Sequence, residues 1–128
     1  MGESAKRFSN EKYISLETYK KNGGAVKSPV WVVEDGGVVY VRTDPTSWKA
    51  KRIRKNPRVR IAASDMRGKV TGQWVDGEAH FIEGQEADRK IEMFKKKYGS
   101  GLRFTDFFNG IRGRHATAVL SIELAGAD

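Results

Sequence analysis

The sequence predicts a mainly β fold, a small barrel of about six antiparallel strands in meander or Greek-key order with two or three flanking helices. Three observations lead to this class. Residues 13–19 alternate in character, as a half-buried strand does. Two turn signals of the hairpin type follow at short spacing. Strands and helices do not alternate along the chain as they do in βαβ units of a parallel sheet. The length of 128 residues is that of one domain.

The first third of the chain is predicted to form a three-stranded antiparallel meander. Its strands cover residues 13–19, 25–34 and 38–43, and the second of them is rich in valine. The turns contain Asn22-Gly23 and Asp35-Gly36, dipeptides that accept the positive φ angles of tight hairpin turns. We therefore expect the three strands to be neighbours in the sheet.

A short basic helix is predicted over residues 47–55, and a fourth strand over residues 58–64. Thr46 or Ser47 is suited to cap the start of the helix, because a hydroxyl oxygen can accept a hydrogen bond from the first turn. Pro57 ends the helix, because proline disfavours the α conformation in the residue before it.

A long strand and the clearest helix of the sequence follow. The strand is predicted over residues 70–83, where Gly72 and Gly77 indicate a bulge or a bend. The helix is predicted over residues 85–98, which carry apolar residues on one face. Its first turn is acidic and its last turn is basic, an arrangement that complements the helix dipole.

The rest of the chain is expected to complete the same domain. Residues 102–108 are predicted to add a short helix or turn, and residues 115–124 alternate as a last strand would. We expect an N-terminal arm over residues 1–11 and the barrel with its helices over residues 12–124. Together they make one domain covering residues 1–128.

Composition excludes several classes of protein. The chain has no cysteine, which excludes disulfides, thiolate zinc sites and a cysteine nucleophile. Its longest apolar run is residues 30–33, whereas a membrane-spanning helix needs roughly 20 apolar residues. The polar first ten residues show no secretory signal, so we expect a cytoplasmic protein. The two histidines, His80 and His115, lack metal-ligand spacing, so no metal site is expected.

The positive charge of the chain is concentrated in one segment. The formal net charge is +8, from 24 basic and 16 acidic residues. Residues 49–60 contain seven basic residues and no acidic residue, so the remainder of the chain is nearly neutral. A local patch of this kind indicates a local anionic partner.

The basic helix also places charge at its unfavourable end. Its opening turn holds Lys49 and Lys51 with no acid, which costs about 0.5 kcal/mol per lysine against the helix dipole. A bound anion would remove this cost, because Thr46 and Ser47 hydroxyls, backbone N–H groups and Lys49 would converge where phosphate binds. The alternative is a solvated basic face with Ile53 pointing inward.

Nucleic acid is a second candidate partner for this charge. The helix is suited to lie along a phosphate backbone, and residues 109–113 contain the G-x-x-G spacing of KH domains. In KH domains that motif joins two helices, whereas a strand is predicted after it here. The motif therefore gives only weak support to nucleic-acid binding. We find no Walker loop or nucleophile elbow that would indicate another chemistry.

Five short motifs occur in an order that resembles one family. The resemblance is to the split β-barrel proteins related to pyridoxamine 5′-phosphate oxidase, and within them to probable deazaflavin (coenzyme F420)-dependent oxidoreductases. It covers about residues 12–98. The motifs are Lys27-Ser28-Pro29-Val30-Trp31, Tyr40-Val41-Arg42-Thr43, Ser47-Trp48-Lys49, Asn56-Pro57-Arg58-Val59 and Val75-Asp76-Gly77-Glu78-Ala79.

The resemblance implies a split β-barrel and a homodimer with two cofactor sites at the subunit interface. It implies that the second strand lies along a flavin-type ring at Lys27 to Val30 and at Trp31. It also implies that Ser47 and Lys49 hold the phosphate. The cofactor-binding residues implied are Lys27, Ser28, Pro29, Val30, Arg42, Thr43, Ser47, Trp48, Lys49 and Gln73.

Trp48 departs from the pattern of the FMN-dependent oxidases in this family, which have a basic residue at that position. The departure makes F420 the first cofactor expected and FMN the alternative. F420 has a longer anionic tail, which the basic residues further along the helix would follow. These residues are Lys51, Arg54, Lys55 and Arg58.

The predicted activity is hydride transfer between a bound F420 or FMN-type cofactor and a small organic substrate. The cofactor carries this chemistry, so no catalytic side chain needs to stand out in the sequence. A binding or carrier protein without turnover, with the same site, is the alternative. A basic nucleic-acid-binding domain is the third possibility.

Overall fold

The computed structural model describes residues 3–98 and 118–125. It has seven strands and three helices in these ranges. In chain order they are α1 (Glu3–Lys6), β1 (Tyr13–Tyr19), β2 (Ala25–Val30), β3 (Val32–Asp35), β4 (Val38–Thr43), α2 (Trp48–Lys55), β5 (Arg58–Ser64), β6 (Val75–Ile82), α3 (Gly84–Lys97) and β7 (Ala118–Leu124).

The seven strands form one antiparallel sheet that closes on itself. Their order is β2-β1-β5-β6-β7-β4-β3. The two edge strands, β2 and β3, follow each other in the chain with only Trp31 between them. The ends of the sheet must therefore meet at Trp31, which curls the sheet into a barrel and confirms the predicted split β-barrel.

The predicted opening meander was wrong in one respect. Residues 25–34 do not form a single strand, because the chain changes sheet partner at Trp31. Residues before it pair with β1, as Ser28 does with Leu16, and residues after it pair with β4, as Val33 does with Tyr40. The barrel therefore has seven strands in the described ranges where six were expected.

One further predicted strand differs from the structure, one helix was not predicted, and one predicted element lies outside the described residues. The strand predicted over residues 70–83 begins only at Val75, and Val70 forms an isolated bridge with Ser64. The helix α1 was not predicted. The predicted helix or turn over residues 102–108 lies outside the described residues, as do residues 115–117 of the last strand.

The end of α3 holds the chain in place where the barrel closes. The Trp31 ring stacks on the Tyr98 ring with centroids 4.3 Å apart. The Tyr98 hydroxyl accepts a hydrogen bond from the Val32 amide at 2.9 Å, and Lys97 Nζ donates to the Val32 carbonyl at 2.7 Å. Burial raises the pKa of Tyr98 to about 12. The break in the sheet is thus a fixed feature.

The two longer helices cover different parts of the barrel. α2 buries Ala50 and Ile53, and Ile53 joins the main core inside the barrel. α3 packs on the outer surface, where Phe94 contacts Tyr40 of β4. No helix in the described ranges has both the length and the apolar composition that a membrane span requires.

Gly77 lies where β6 and β7 come close together. A Cβ atom at this position would lie 2.9 Å from the Glu123 carbonyl oxygen, closer than real Cβ atoms approach backbone. We expect Gly77→Ala to lower the free energy of unfolding by about 1–3 kcal/mol, because the strands must separate. Urea unfolding measures this, with Gly72→Ala as the control, since its Cβ would meet only the Ala63 side chain at 3.3 Å. Equal losses in both variants would contradict the assignment.

Candidate functional site

The turn before α2 is built by Asp44 and two hydroxyl side chains. Ser47 Oγ accepts a hydrogen bond from the Ala50 amide at 3.2 Å, which confirms Ser47 as the N-cap. Ser47 Oγ also donates to the Asp44 carbonyl at 2.7 Å. Thr46 Oγ1 donates to the Asp44 carboxylate at 2.7 Å. These bonds fix the direction in which the helix starts.

Both hydroxyl protons of this turn are therefore used within the turn. Thr43 Oγ1 lies 3.4 Å from Ser47 Oγ and belongs to the same small network. The donors that remain for an anion are the first backbone amides of α2, which have no intrahelical partner, and the Lys49 ammonium. Phosphate binding by the Ser47 hydroxyl itself stays a prediction.

Lys49 differs from the other basic residues near the start of α2, because its side chain is half-buried. Burial lowers the pKa of Lys49, and the nearby Arg52 charge lowers it further, while Asp44 acts in the opposite direction. No hydrogen bond or ion pair of its ammonium to another residue is found in residues 3–98 and 118–125. Such a cation is poorly compensated by the protein alone, which favours a bound anion.

The rest of the helix fits the alternative of a solvated basic face. Lys51 is exposed, and its Nζ lies 4.5 Å from the ring centroid of Trp48, which is itself 72% exposed. Arg54 and Lys55 are also exposed and lie in the last turn, where positive charge suits the dipole. The position of Lys49 therefore suits an anion site, whereas the exposed Lys51, Arg54 and Lys55 suit a solvated basic face.

The β2 strand offers only half of its predicted residues to an outer site. Ser28 and Val30 pair with Leu16 and Ile14, which are fully buried in the barrel, so these side chains lie on the inner face. Lys27 and Pro29 alternate with them and are exposed on the outer face. Only Lys27 and Pro29, among these four residues, are placed to contact a ring outside the barrel with their side chains.

The segment that contains Gln73 lies beside this outer face. The ring of Trp74 lies between two cations, with Lys27 Nζ at 5.4 Å and Arg60 Cζ at 4.7 Å from its centroid. Arg60 Nε donates to the buried Glu17 carboxylate at 2.6 Å, and this pairing lowers the pKa of Glu17. The structure therefore brings Lys27 close to Trp74, the neighbour of Gln73 in the chain.

Arg42 does not share a face with Thr43. It alternates with the barrel-facing Val41 and Thr43, and its guanidinium carbon lies 5.7 Å from the ring centroid of Phe94 in α3. Burial lowers the pKa of Arg42 to about 9. The structure places Thr43 with Ser47 at the start of α2 and Arg42 beneath α3, so the two are separated.

The sequence did not single out Arg52, Thr18 or Glu17. Arg52 Nε donates to the Thr18 hydroxyl at 2.7 Å, and Thr18 is only 1% exposed. The spacing of Lys49 and Arg52 by three residues was visible and places them on one helix face. The contact with Thr18 depends on how α2 packs on β1, and no sequence pattern reveals it.

Lys49 is expected to make stability depend on pH in a defined direction. Its folded-state pKa is below 10.5, so between these two values the unfolded chain binds more protons and the free energy of unfolding rises with pH. The difference in unfolding free energy between wild type and Lys49→Gln should therefore increase from pH 8 to pH 10. Urea unfolding at both values measures it, and a decrease would contradict the burial of the ammonium.

Comparison with known proteins identifies the family. The pyridoxamine 5′-phosphate oxidase family matches residues 1–127, whereas no curated protein matches the chain. Among solved structures, the chain is similar to HutZ, the heme storage protein of Vibrio cholerae, with 18% identity, a TM-score of 0.70 and coverage of 97% of this chain and 89% of that one.

Two further structures show the same fold. Rv2991 of Mycobacterium tuberculosis has 19% identity, a TM-score of 0.70 and coverage of 96% and 79%. An F420 reductase has 12% identity, a TM-score of 0.62 and coverage of 93% and 90%. With the family match over nearly its whole length, the chain belongs to the pyridoxamine 5′-phosphate oxidase family of split β-barrel proteins.

Proposed function

We propose that the protein is an oxidoreductase that binds a flavin-type cofactor, with F420 as the first candidate and FMN as the alternative. The observation that carries the proposal is Lys49, a half-buried cation in the first turn of a helix that has no acid there. The same turn supplies unpaired backbone amides. Both features suit the anionic group that the two cofactors share.

The residues of the site fit this group. Lys49 and the first amides of α2 would hold the phosphate, since the helix dipole and an ammonium both favour negative charge there. Lys27, Pro29 and Trp74 form the outer surface on which a ring would lie. When bound, the cofactor supplies the hydride chemistry, and these side chains bind it, orient it and exclude water from it.

The buried acid Glu17 is paired with Arg60, and its charge is used within the barrel wall. The cations at the start of α2 are suited to binding an anion.

Titration of the purified protein with F420 and with FMN tests the proposal. We expect saturable binding of at least one, seen as a change in its fluorescence, followed by substrate-dependent oxidation of the reduced cofactor in a panel of small organic acceptors. Hemin is titrated in parallel, because HutZ is a heme storage protein. Binding of hemin alone would overturn the proposal.

The same titrations separate the alternatives. Binding without turnover of any acceptor would indicate a carrier protein, the second candidate. A nucleic-acid-binding domain would bind oligonucleotides with a steep decrease in affinity as salt increases. We expect no such salt-dependent binding.

We also propose a cytoplasmic homodimer with two cofactor sites at its interface, acting on a small-molecule substrate. Analytical ultracentrifugation should give twice the 14.4 kDa chain mass, and saturation should require one cofactor per chain. A monomer that binds cofactor with full affinity would contradict the interface location.

A further inference from the structure

We propose that Arg52 is a second cation of the anion site, held in place by the buried hydroxyl of Thr18. The inference rests on the proposed function, because it assigns a further binding residue to the same site. Neither residue belongs to the motifs from which the site was predicted.

The position of Arg52 follows from the helix. It comes three residues after Lys49, so the two side chains are neighbours on one face of α2. Arg52 is partly buried, whereas Arg54 and Lys55 in the same turn are exposed. Its charge is close enough to lower the pKa of Lys49. The two cations therefore form a pair on the side of the helix that faces the barrel.

The contact with Thr18 fixes this pair. Arg52 Nε donates to Thr18 Oγ1 at 2.7 Å, which is a short, strong hydrogen bond from a charged donor. Thr18 lies at the end of β1 and is 1% exposed, so its hydroxyl cannot move to follow a mobile side chain. The bond uses only Nε, and the other four N–H donors of the guanidinium remain for further contacts.

The arrangement is unfavourable unless an anion is present. Two positive charges three residues apart on a helix repel each other. Both Lys49 and Arg52 are also partly removed from water. A long basic side chain can relieve the repulsion by turning into solvent, as the exposed Lys55 does on the same helix. Arg52 instead donates a hydrogen bond to Thr18 of β1, which keeps its side chain on the face of α2 that carries Lys49. An anion held between the two cations and the first amides of α2 offsets the repulsion.

Titration of the full-length protein with inorganic phosphate tests the proposal without a cofactor ring. We expect Arg52→Gln to weaken phosphate binding by about 5- to 30-fold, as loss of a charge-assisted contact does. Lys95→Gln removes the same charge from an exposed position on α3, outside the site, and should change affinity less than twofold. Equal effects of the two variants would overturn the proposal.

Thr18 variants keep every charge and test the anchor. Thr18→Val has nearly the same shape without the hydroxyl, and we expect about 3- to 10-fold weaker phosphate binding. Thr18→Ser restores the acceptor and should restore affinity. If valine and serine variants bind equally well, Thr18 does not position Arg52. This pair also gives an answer if Arg52→Gln does not fold.

The pKa of Lys49, followed by NMR of its side chain, tests whether the charge of Arg52 acts at the site. Arg52→Gln removes that charge and should raise this pKa, whereas Thr18→Val loosens the same contact but keeps the charge and should raise it less. If phosphate binding depends on Arg52 but neither F420 nor FMN binds, the proposed function is wrong and the assignment of Arg52 stands. If a cofactor binds and Arg52→Gln does not change its affinity, the proposed function stands and the assignment of Arg52 is wrong.

Discussion

Replacement of Lys49 by alanine is expected to weaken cofactor binding by about 1–3 kcal/mol, or about 5- to 150-fold, the usual worth of a charge-assisted hydrogen bond. The loss is expected near the upper half of this range, because Lys49 is half-buried and the anion would be shielded from water at that point. Fluorescence titration of wild type and variant with FMN and with F420 measures the change.

Lys95→Ala is the matched control for this substitution. Lys95 is an exposed lysine on α3, and its partner Glu92 lies at 3.4 Å on the same helix. The control removes the same charge from the protein and should leave affinity within twofold. If the two alanine variants lose the same affinity, cofactor binding depends on net charge and not on the start of α2.

Phe94→Ala is expected to produce the largest loss of stability, about 3–5 kcal/mol in the free energy of unfolding. Phe94 is 0% exposed and forms the centre of the contact between α3 and the outer face of the barrel. Its ring lies 6.1 Å from that of Tyr98 and beneath the guanidinium of Arg42. The substitution removes the packing that holds α3 on β4.

Two further variants define this effect. Phe94→Leu keeps much of the buried volume and should recover more than half of the lost free energy. Met93→Ala lies one residue away, beside an open groove, and should cost less than Phe94→Ala because the side chain is only partly buried. Urea unfolding gives all three values. A loss for Phe94→Ala no larger than that for Met93→Ala would contradict the packing of α3.

Local sequence signals predicted several elements with their bounds. The strands over residues 13–19, 38–43 and 58–64 were predicted at the positions where the structure has them. Residues 13–19 alternate in character, and turn or proline residues stand beside all three strands. Ser47 and Pro57 likewise predicted where α2 begins and ends, because an N-cap and a proline affect only the backbone within a few residues.

These local signals did not predict the break between β2 and β3 at Trp31. Residues 30–33 are a continuous run of strong β formers that crosses the break, so no turn residue marks it there. The division arises because the barrel closes there, with β1 on one side and β4 on the other. Closure depends on the arrangement of all seven strands. For the same reason, the stack of Trp31 on Tyr98 was not predictable.

The site was predictable in its charge but not in its geometry. An opening helical turn with lysines and no acid identified Lys49 directly. Simple alternation along β4 would have shown that Arg42 and Thr43 point to opposite faces. The anchor of Arg52 on Thr18 depends on contact between residues 34 positions apart, which requires the packed structure.

The most direct test of the account is a crystal structure of the protein saturated with FMN or F420. The account predicts a phosphate oxygen within about 2.7–3.2 Å of Lys49 Nζ and of a backbone amide in the first turn of α2. A phosphate located elsewhere, with the Lys49 ammonium in contact only with solvent, would contradict it.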